Sequence, residues 1–125
     1  MIIGIGHDLF EVSRMEDRLR GDHERFRETI FTSGEIAYCE TKLHPAEHYA
    51  ARFAAKEALL KALAVDGQGG LVWREAEILN EPSGKPHVYL YGSLQDRARD
   101  LHVQNIFVTL SHTAGFAAAN VVLES

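Results

Sequence analysis

Cysteine is almost missing from this chain: among 125 residues only Cys39 is present, so no internal disulfide can form. There is no CxxC and no Cys/His ligand spacing, which removes the usual sequence signs of a zinc site. A reducing cytoplasm is the setting that fits. A basic excess is also missing. Lys and Arg number 13 against 18 Asp and Glu, for a net charge of -5, and a general nucleic-acid binder needs the opposite balance to displace counterions from phosphates. Local basic patches remain compatible with that total. Long hydrophobic runs are lacking too. The apolar N-terminal stretch ends after a few residues and carries no basic n-region, so it reads neither as a signal peptide nor as a membrane span. Repeats, low-complexity segments and linkers are absent. What is present is 46% hydrophobic residues, enough for one packed core, and residues 1–125 are expected to form a single domain. So small a domain has little room for a deep pocket of its own, and a site shared between subunits is the expected solution.

The order of elements predicts α+β architecture with a mainly antiparallel sheet packed on a long central helix. Ile2 to Asp8 is β-branched and glycine-punctuated, a buried first strand. Val12, Met15 and Leu19 recur at helical spacing across Glu11 to Arg20, and Gly21 with Asp22 ends that helix. Thr32 followed by Glu35 is a capping-box pattern for a short helix through about Thr41. Pro45 stands in the first turn of the next, which runs from Ala46 to Leu63 in strong helix formers. Gly67, Gly69 and Gly70 mark a loop. Leu71 to Leu79 and His87 to Tyr91 read as two strands of a hairpin turning at Pro82 to Pro86. Ser93 to Leu101 reads as a helix, and Ile106 to Leu110 and Phe116 to Leu123 as two final strands.

The long helix concentrates the chemistry. In Arg52-Phe-Ala-Ala-Lys56-Glu57-Ala-Leu-Leu-Lys61, Glu57 and Lys61 share a face one turn apart, as do Arg52 and Lys56 on a neighbouring stripe. A solvated ion pair is the plain explanation of such a pair. The surrounding alanines suggest instead a closely packed helix whose charged stripe faces a cleft, where a glutamate can bind a hard cation and the adjacent lysine a phosphate. Asp8, at the end of the first strand, supplies a second carboxylate, and magnesium takes one or two from a protein, with phosphates and waters completing the shell. Taken singly, Asp8 serves equally well as a helix cap. Gly4 and Gly6 lack the third glycine of a dinucleotide loop. Ser83-Gly-Lys-Pro86 is also an ordinary turn, and His112 alone also reads as a structural polar residue.

Taken together, Gly4-Ile-Gly-His-Asp8, Arg52-Phe-Ala-Ala-Lys-Glu-Ala58 with Lys61-Ala62, Gly84-Lys-Pro86 and Ser111-His-Thr113 resemble the bacterial holo-acyl-carrier-protein synthases, a family of 4′-phosphopantetheinyl transferases. The blocks follow the family's order over nearly the whole chain. The resemblance implies magnesium-dependent transfer of 4′-phosphopantetheine from coenzyme A to a serine of acyl carrier protein, with release of adenosine 3′,5′-bisphosphate. It implies a homotrimer with active sites at subunit interfaces, and no nucleic-acid or membrane partner. Carried over by position, it assigns Asp8 and Glu57 to the metal, and Glu57 and Lys61 to catalysis. Lys61 also falls on a phosphate of coenzyme A, Arg52 and His112 in the phosphate-binding wall, and Gly84, Lys85 and Pro86 near the adenosine end. The serine proton has Glu57, a metal-bound water or His112 as its candidate acceptors. Carrier proteins of this class are acidic, which suits docking on Arg14 and Arg18, with Arg20 as a further candidate. His7 stands where the family is more often apolar and is expected to pack outward, and the loop 64–70 departs from the family's glycine-threonine-glycine pattern.

Overall fold

In the computed structural model, which describes residues 1–21, 23–66 and 72–125, the elements run β1 (Ile2–Glu11), α1 (Val12–Arg20), α2 (His23–Ile30), α3 (Ser33–Glu40), α4 (Pro45–Ala62), a 3-10 turn (Val72–Glu75), β2 (Ala76–Asn80), β3 (Pro86–Leu90), α5 (Gly92–Asp100), β4 (Asn105–His112) and β5 (Phe116–Glu124). All strand pairings are antiparallel, as expected, but they divide into a three-stranded sheet ordered β1-β5-β4 and a separate β2-β3 hairpin. Three readings need correction. The first strand is buried on one face only, with Ile2, Ile5 and Leu9 exposed. The segment read as a strand from Leu71 is a 3-10 turn over Val72–Glu75 and becomes a strand only at Ala76; Val72 and Trp73 are apolar because they pack on the core. The helix α2 had no strong sequence signal and was not anticipated. The expected loop glycines Gly67, Gly69 and Gly70, with Leu71 and Asp22, lie outside the described residues.

The capping box forms as written: the Thr32 hydroxyl accepts from the Glu35 amide, and Glu35 Oε1 accepts from the Thr32 amide at 2.9 Å. Pro45 occupies the first turn of α4. That helix is buried on nearly every side, with Ala50, Ala54, Ala58 and Leu59 showing no exposure. It lies across the three-stranded sheet. The inner face of β1 is Gly4, Gly6, Asp8 and Phe10, while Ile3, Ile5, His7 and Leu9 point away, following the two-residue period of a strand.

The two glycines decide how close helix and strand come. A Cβ on Gly6 would fall 1.8 Å from the Ala58 carbonyl oxygen, and one on Gly4 would fall 2.4 Å from that of Ala62. Backbone therefore meets backbone, with Ala58 and Ala62 one turn apart opposite the glycines. The GxG of the first strand makes room for a crossing helix and has nothing to do with a dinucleotide.

Candidate active site

The close crossing of β1 and α4 brings Asp8 to the helix face that carries Glu57 and Lys61. Lys61 Nζ lies 3.1 Å from Asp8 Oδ1 and donates to the His7 carbonyl at 3.0 Å. The partner of Lys61 is thus Asp8 across the strand, in place of the solvated Glu57–Lys61 pair. Asp8 is not a helix cap: it pairs with Ala119 inside β1, and Glu11 holds the N-cap position of α1. Glu57 is half-buried. Burial first, and then the Asp8 carboxylate, raise its pKa, while Lys61 and Arg18 hold it down. Two neighbouring carboxylates partly withdrawn from water favour a cation between them. Among the described residues no group of three His, Cys, Asp or Glu side chains converges, so the donor set suits a hard ion that keeps waters or phosphate oxygens, and not a caged transition metal.

Arg52 and Lys56, expected on one charged stripe facing a cleft, have separate fates. Lys56 is 1% exposed and no part of a cleft. Its ammonium lies 2.7 Å from Glu35 Oε1 and donates to the carbonyls of Ile30, Trp73 and Ala76. Burial lowers its pKa, and Glu35 acts against that. The reason is geometric: the stripe of α4 holding Lys56 faces the first residues of β2 and the end of α2, whose free carbonyls need a donor.

Arg52 opens instead on a small cavity of about 160 Å³ lined by Tyr38, His48, Ala51, Asn80, Gly84, Pro86, Leu110 and His112. Its guanidinium stacks over the Tyr38 ring at 4.1 Å and donates to the Asn80 side-chain oxygen, and its Nε is buried without a partner among the described residues. Asn80 in turn donates to the Gly84 carbonyl at 2.8 Å, tying the arginine to a hairpin turn in which Gly84 adopts φ 91°. Asn80 was not singled out in the sequence; a lone Asn ending a strand gives no signal beyond a turn. His112 Nδ1 lies 2.9 Å from Glu47 Oε1. Lys85 does not share this cavity. It lines a wider groove of about 470 Å³ between β3 and β4. None of Asp8, Glu57 and Lys61 lines the Arg52 cavity, and Arg52 and Glu57 stand about 140° apart around the helix.

Arg14 and Arg18 are exposed on α1. Arg14 lies over the Phe10 ring at 5.0 Å, and Arg18 over Phe10 at 5.3 Å and Phe53 at 5.8 Å, so both charges sit on an aromatic floor. Arg20 pairs with Asp17. His7 points away from the site, as expected, and its Nδ1 meets the Asn120 side chain at 2.9 Å. No helix among the described residues is long and apolar enough to cross a membrane.

Asp8 on β1 and Glu57 with Lys61 on α4 form a group whose chemistry suits phosphate and a hard cation. The model of the 4′-phosphopantetheinyl transferase superfamily matches residues 4–120, and the chain belongs to it. Within it, the chain is 45% identical to the holo-[acyl-carrier-protein] synthase of Geobacter metallireducens over 99% of this chain and 98% of that one. Among solved structures, the holo-[acyl-carrier-protein] synthase of Neisseria meningitidis matches with a TM-score of 0.90 at 27% identity over the whole of both chains. That of Helicobacter pylori, solved in complex with coenzyme A, matches with a TM-score of 0.81 at 30% identity, covering 96% of this chain and 99% of that one. The enzyme class is accordingly a phosphopantetheinyl transferase of the holo-[acyl-carrier-protein] synthase type.

Proposed function

We propose that this enzyme uses magnesium to transfer 4′-phosphopantetheine from coenzyme A to a serine of apo acyl carrier protein, releasing adenosine 3′,5′-bisphosphate, within a cytoplasmic homotrimer whose residues 1–125 act as one domain. The observation that carries the reading is the meeting of Asp8, Glu57 and Lys61 at the β1–α4 crossing. Asp8 and Glu57 would hold the ion. When bound, magnesium supplies charge neutralisation to the pyrophosphate. Lys61, the most exposed of the three, is free to turn its ammonium from Asp8 to a phosphate oxygen.

In this reading the carrier serine attacks the β-phosphate in line, and positioning does most of the work, because phosphoryl transfer asks little covalent chemistry of the protein. Glu57 is the acceptor on this chain for the serine proton. Arg52 and His112 hold a phosphate at the far end of coenzyme A, with Gly84 and Pro86 near the adenosine and Lys85 at its edge. Because the two groups of residues occupy different flanks of α4, the second comes from a neighbouring subunit. The outer face of the three-stranded sheet supports such an assembly: Ile5, Leu9, Phe107 and Phe116 are 68%, 57%, 49% and 50% exposed, an apolar surface that favours burial between copies. Arg14 and Arg18 receive the acidic carrier.

Incubation with coenzyme A, magnesium and apo carrier protein is expected to add the phosphopantetheine mass to the carrier, and chelation to prevent it. Asp8→Ala and Glu57→Ala are each expected to lower kcat/KM by roughly a hundredfold or more. No mass gain on any of several carriers would sink the proposal, and near-parental turnover by either variant at limiting magnesium would sink the metal assignment.

A further inference from the structure

His48 also lines the Arg52 cavity, and nothing so far gives it a part. It stands one turn before Arg52 on the same face of α4. Its ring lies edge-on to His112 with centroids 4.7 Å apart, and 5.9 Å from Tyr38. His112 is already committed at Nδ1, which faces the Glu47 carboxylate at 2.9 Å. A ring nitrogen that meets a carboxylate donates to it, so neutral His112 presents only an acceptor at Nε2, and a phosphate oxygen finds a donor there only on the imidazolium.

The charges around His48 come from several elements: His112 on β4, Lys42 after α3, and Arg52 and Glu47 on α4 itself, with Tyr38 on α3 and Asn80 on β2 as polar neighbours. Burial first, and then His112, Arg52 and Lys42, push its pKa down, against the smaller opposite pull of Glu47. The surroundings therefore bias the ring toward its neutral form. The Arg52 Nε is buried with no partner among the described residues, on a side chain that is 1% exposed. The cavity thus holds one buried cation with a donor to spare, while the Glu47 carboxylate is engaged by His112.

We propose that His48 is a further phosphate-recognition residue of this cavity, taking a proton from solvent as a phosphate of coenzyme A enters and donating a hydrogen bond to it beside Arg52. The inference rests on the assignment of the cavity to coenzyme A made above. An incoming dianion reverses the sign of the local field, so the imidazolium, disfavoured among cations, becomes the favoured form. The contact then becomes charge-assisted, and binding is accompanied by uptake of up to one proton.

Calorimetric titration with coenzyme A, in two buffers of different ionisation enthalpy, counts that proton. Near pH 6.5 the parent protein is expected to take up a measurable fraction of a proton, and His48→Phe and His48→Gln a smaller one. The affinity of both variants is expected to be on the order of fivefold weaker than the parent near pH 6.5 and close to parental near pH 8.5. In turnover the same difference is expected in the KM for coenzyme A. An affinity loss equal at the two pH values, or parental proton uptake in both variants, overturns the inference alone. Absence of coenzyme A binding to the parent protein overturns the cavity assignment and this inference with it.

Discussion

Lys56 brings a full charge to a position where 1% of it meets solvent, and every acceptor it needs is supplied by a different part of the chain: Glu35, Ile30, Trp73 and Ala76. Glu35, itself unexposed, caps α3 with one oxygen and accepts the Ile78 amide with the other at 2.8 Å. Removing one partner of such a pair strands the other charge, so Lys56→Met is expected to cost about 3 kcal/mol or more in urea unfolding. Lys56→Met with Glu35→Gln should cost less than the sum of the two single changes. Cys39, unexposed, has its thiol pushed up by burial from an ordinary 9.0 to about 12. Between those values the unfolded chain sheds a proton that the folded one keeps, so this residue's contribution to stability falls as pH rises above 9.0. Cys39 is expected to resist alkylation in the native protein and react in denaturant, and Cys39→Ala to flatten the decline in stability from about pH 8 to pH 10. At this scale the capping box was legible, because its partners lie three residues apart. The second role of Glu35 was not, because Lys56 and Ile78 reach it only through the fold.

The crossing of β1 and α4 turns a weak sequence pattern into the site. Gly4 and Gly6 let the helix backbone lie directly on the strand, and that contact carries Asp8 to Lys61 and Glu57. Gly6→Ala would place a Cβ against a helix carbonyl that has no side-chain freedom to yield. It is expected to cost about 3 kcal/mol and to lower activity in whatever protein folds, the first read by thermal unfolding and the second by turnover at saturating coenzyme A. The helix itself, with Pro45 at its start and alanine and leucine throughout, was legible from composition and period. The 3-10 turn at Val72–Glu75 was not: short apolar runs look alike as strand, turn or helix, and tertiary packing chooses among them. The same holds for α2, whose eight residues are too few for a decisive period.

For the molecule as a whole, the two groups of candidate residues face different flanks of α4, and the outer face of the three-stranded sheet exposes Ile5, Leu9, Phe107 and Phe116. If neighbouring copies complete each site, inactive variants altered in opposite halves should rescue one another. Asp8→Ala and Arg52→Ala, each inactive alone, are expected to regain a fraction of parental turnover after dissociation and mixing. Sedimentation should show a trimer for each. Rescue that fails although mixed trimers form would place both halves of the site on one subunit. The sequence by itself determined the α+β class, the long helix with Pro45 in its first turn, the capping box of α3, and the residue types that point to phosphate and a hard cation, because these follow from local propensity, periodicity and chemical character. The tertiary structure alone decided that Lys61 pairs with Asp8, that Lys56 is structural while Arg52 and His48 line a cavity, and that the glycines serve a helix crossing. Those outcomes depend on which surfaces come into contact, and contact between residues dozens of positions apart is set by packing and not by spacing along the chain.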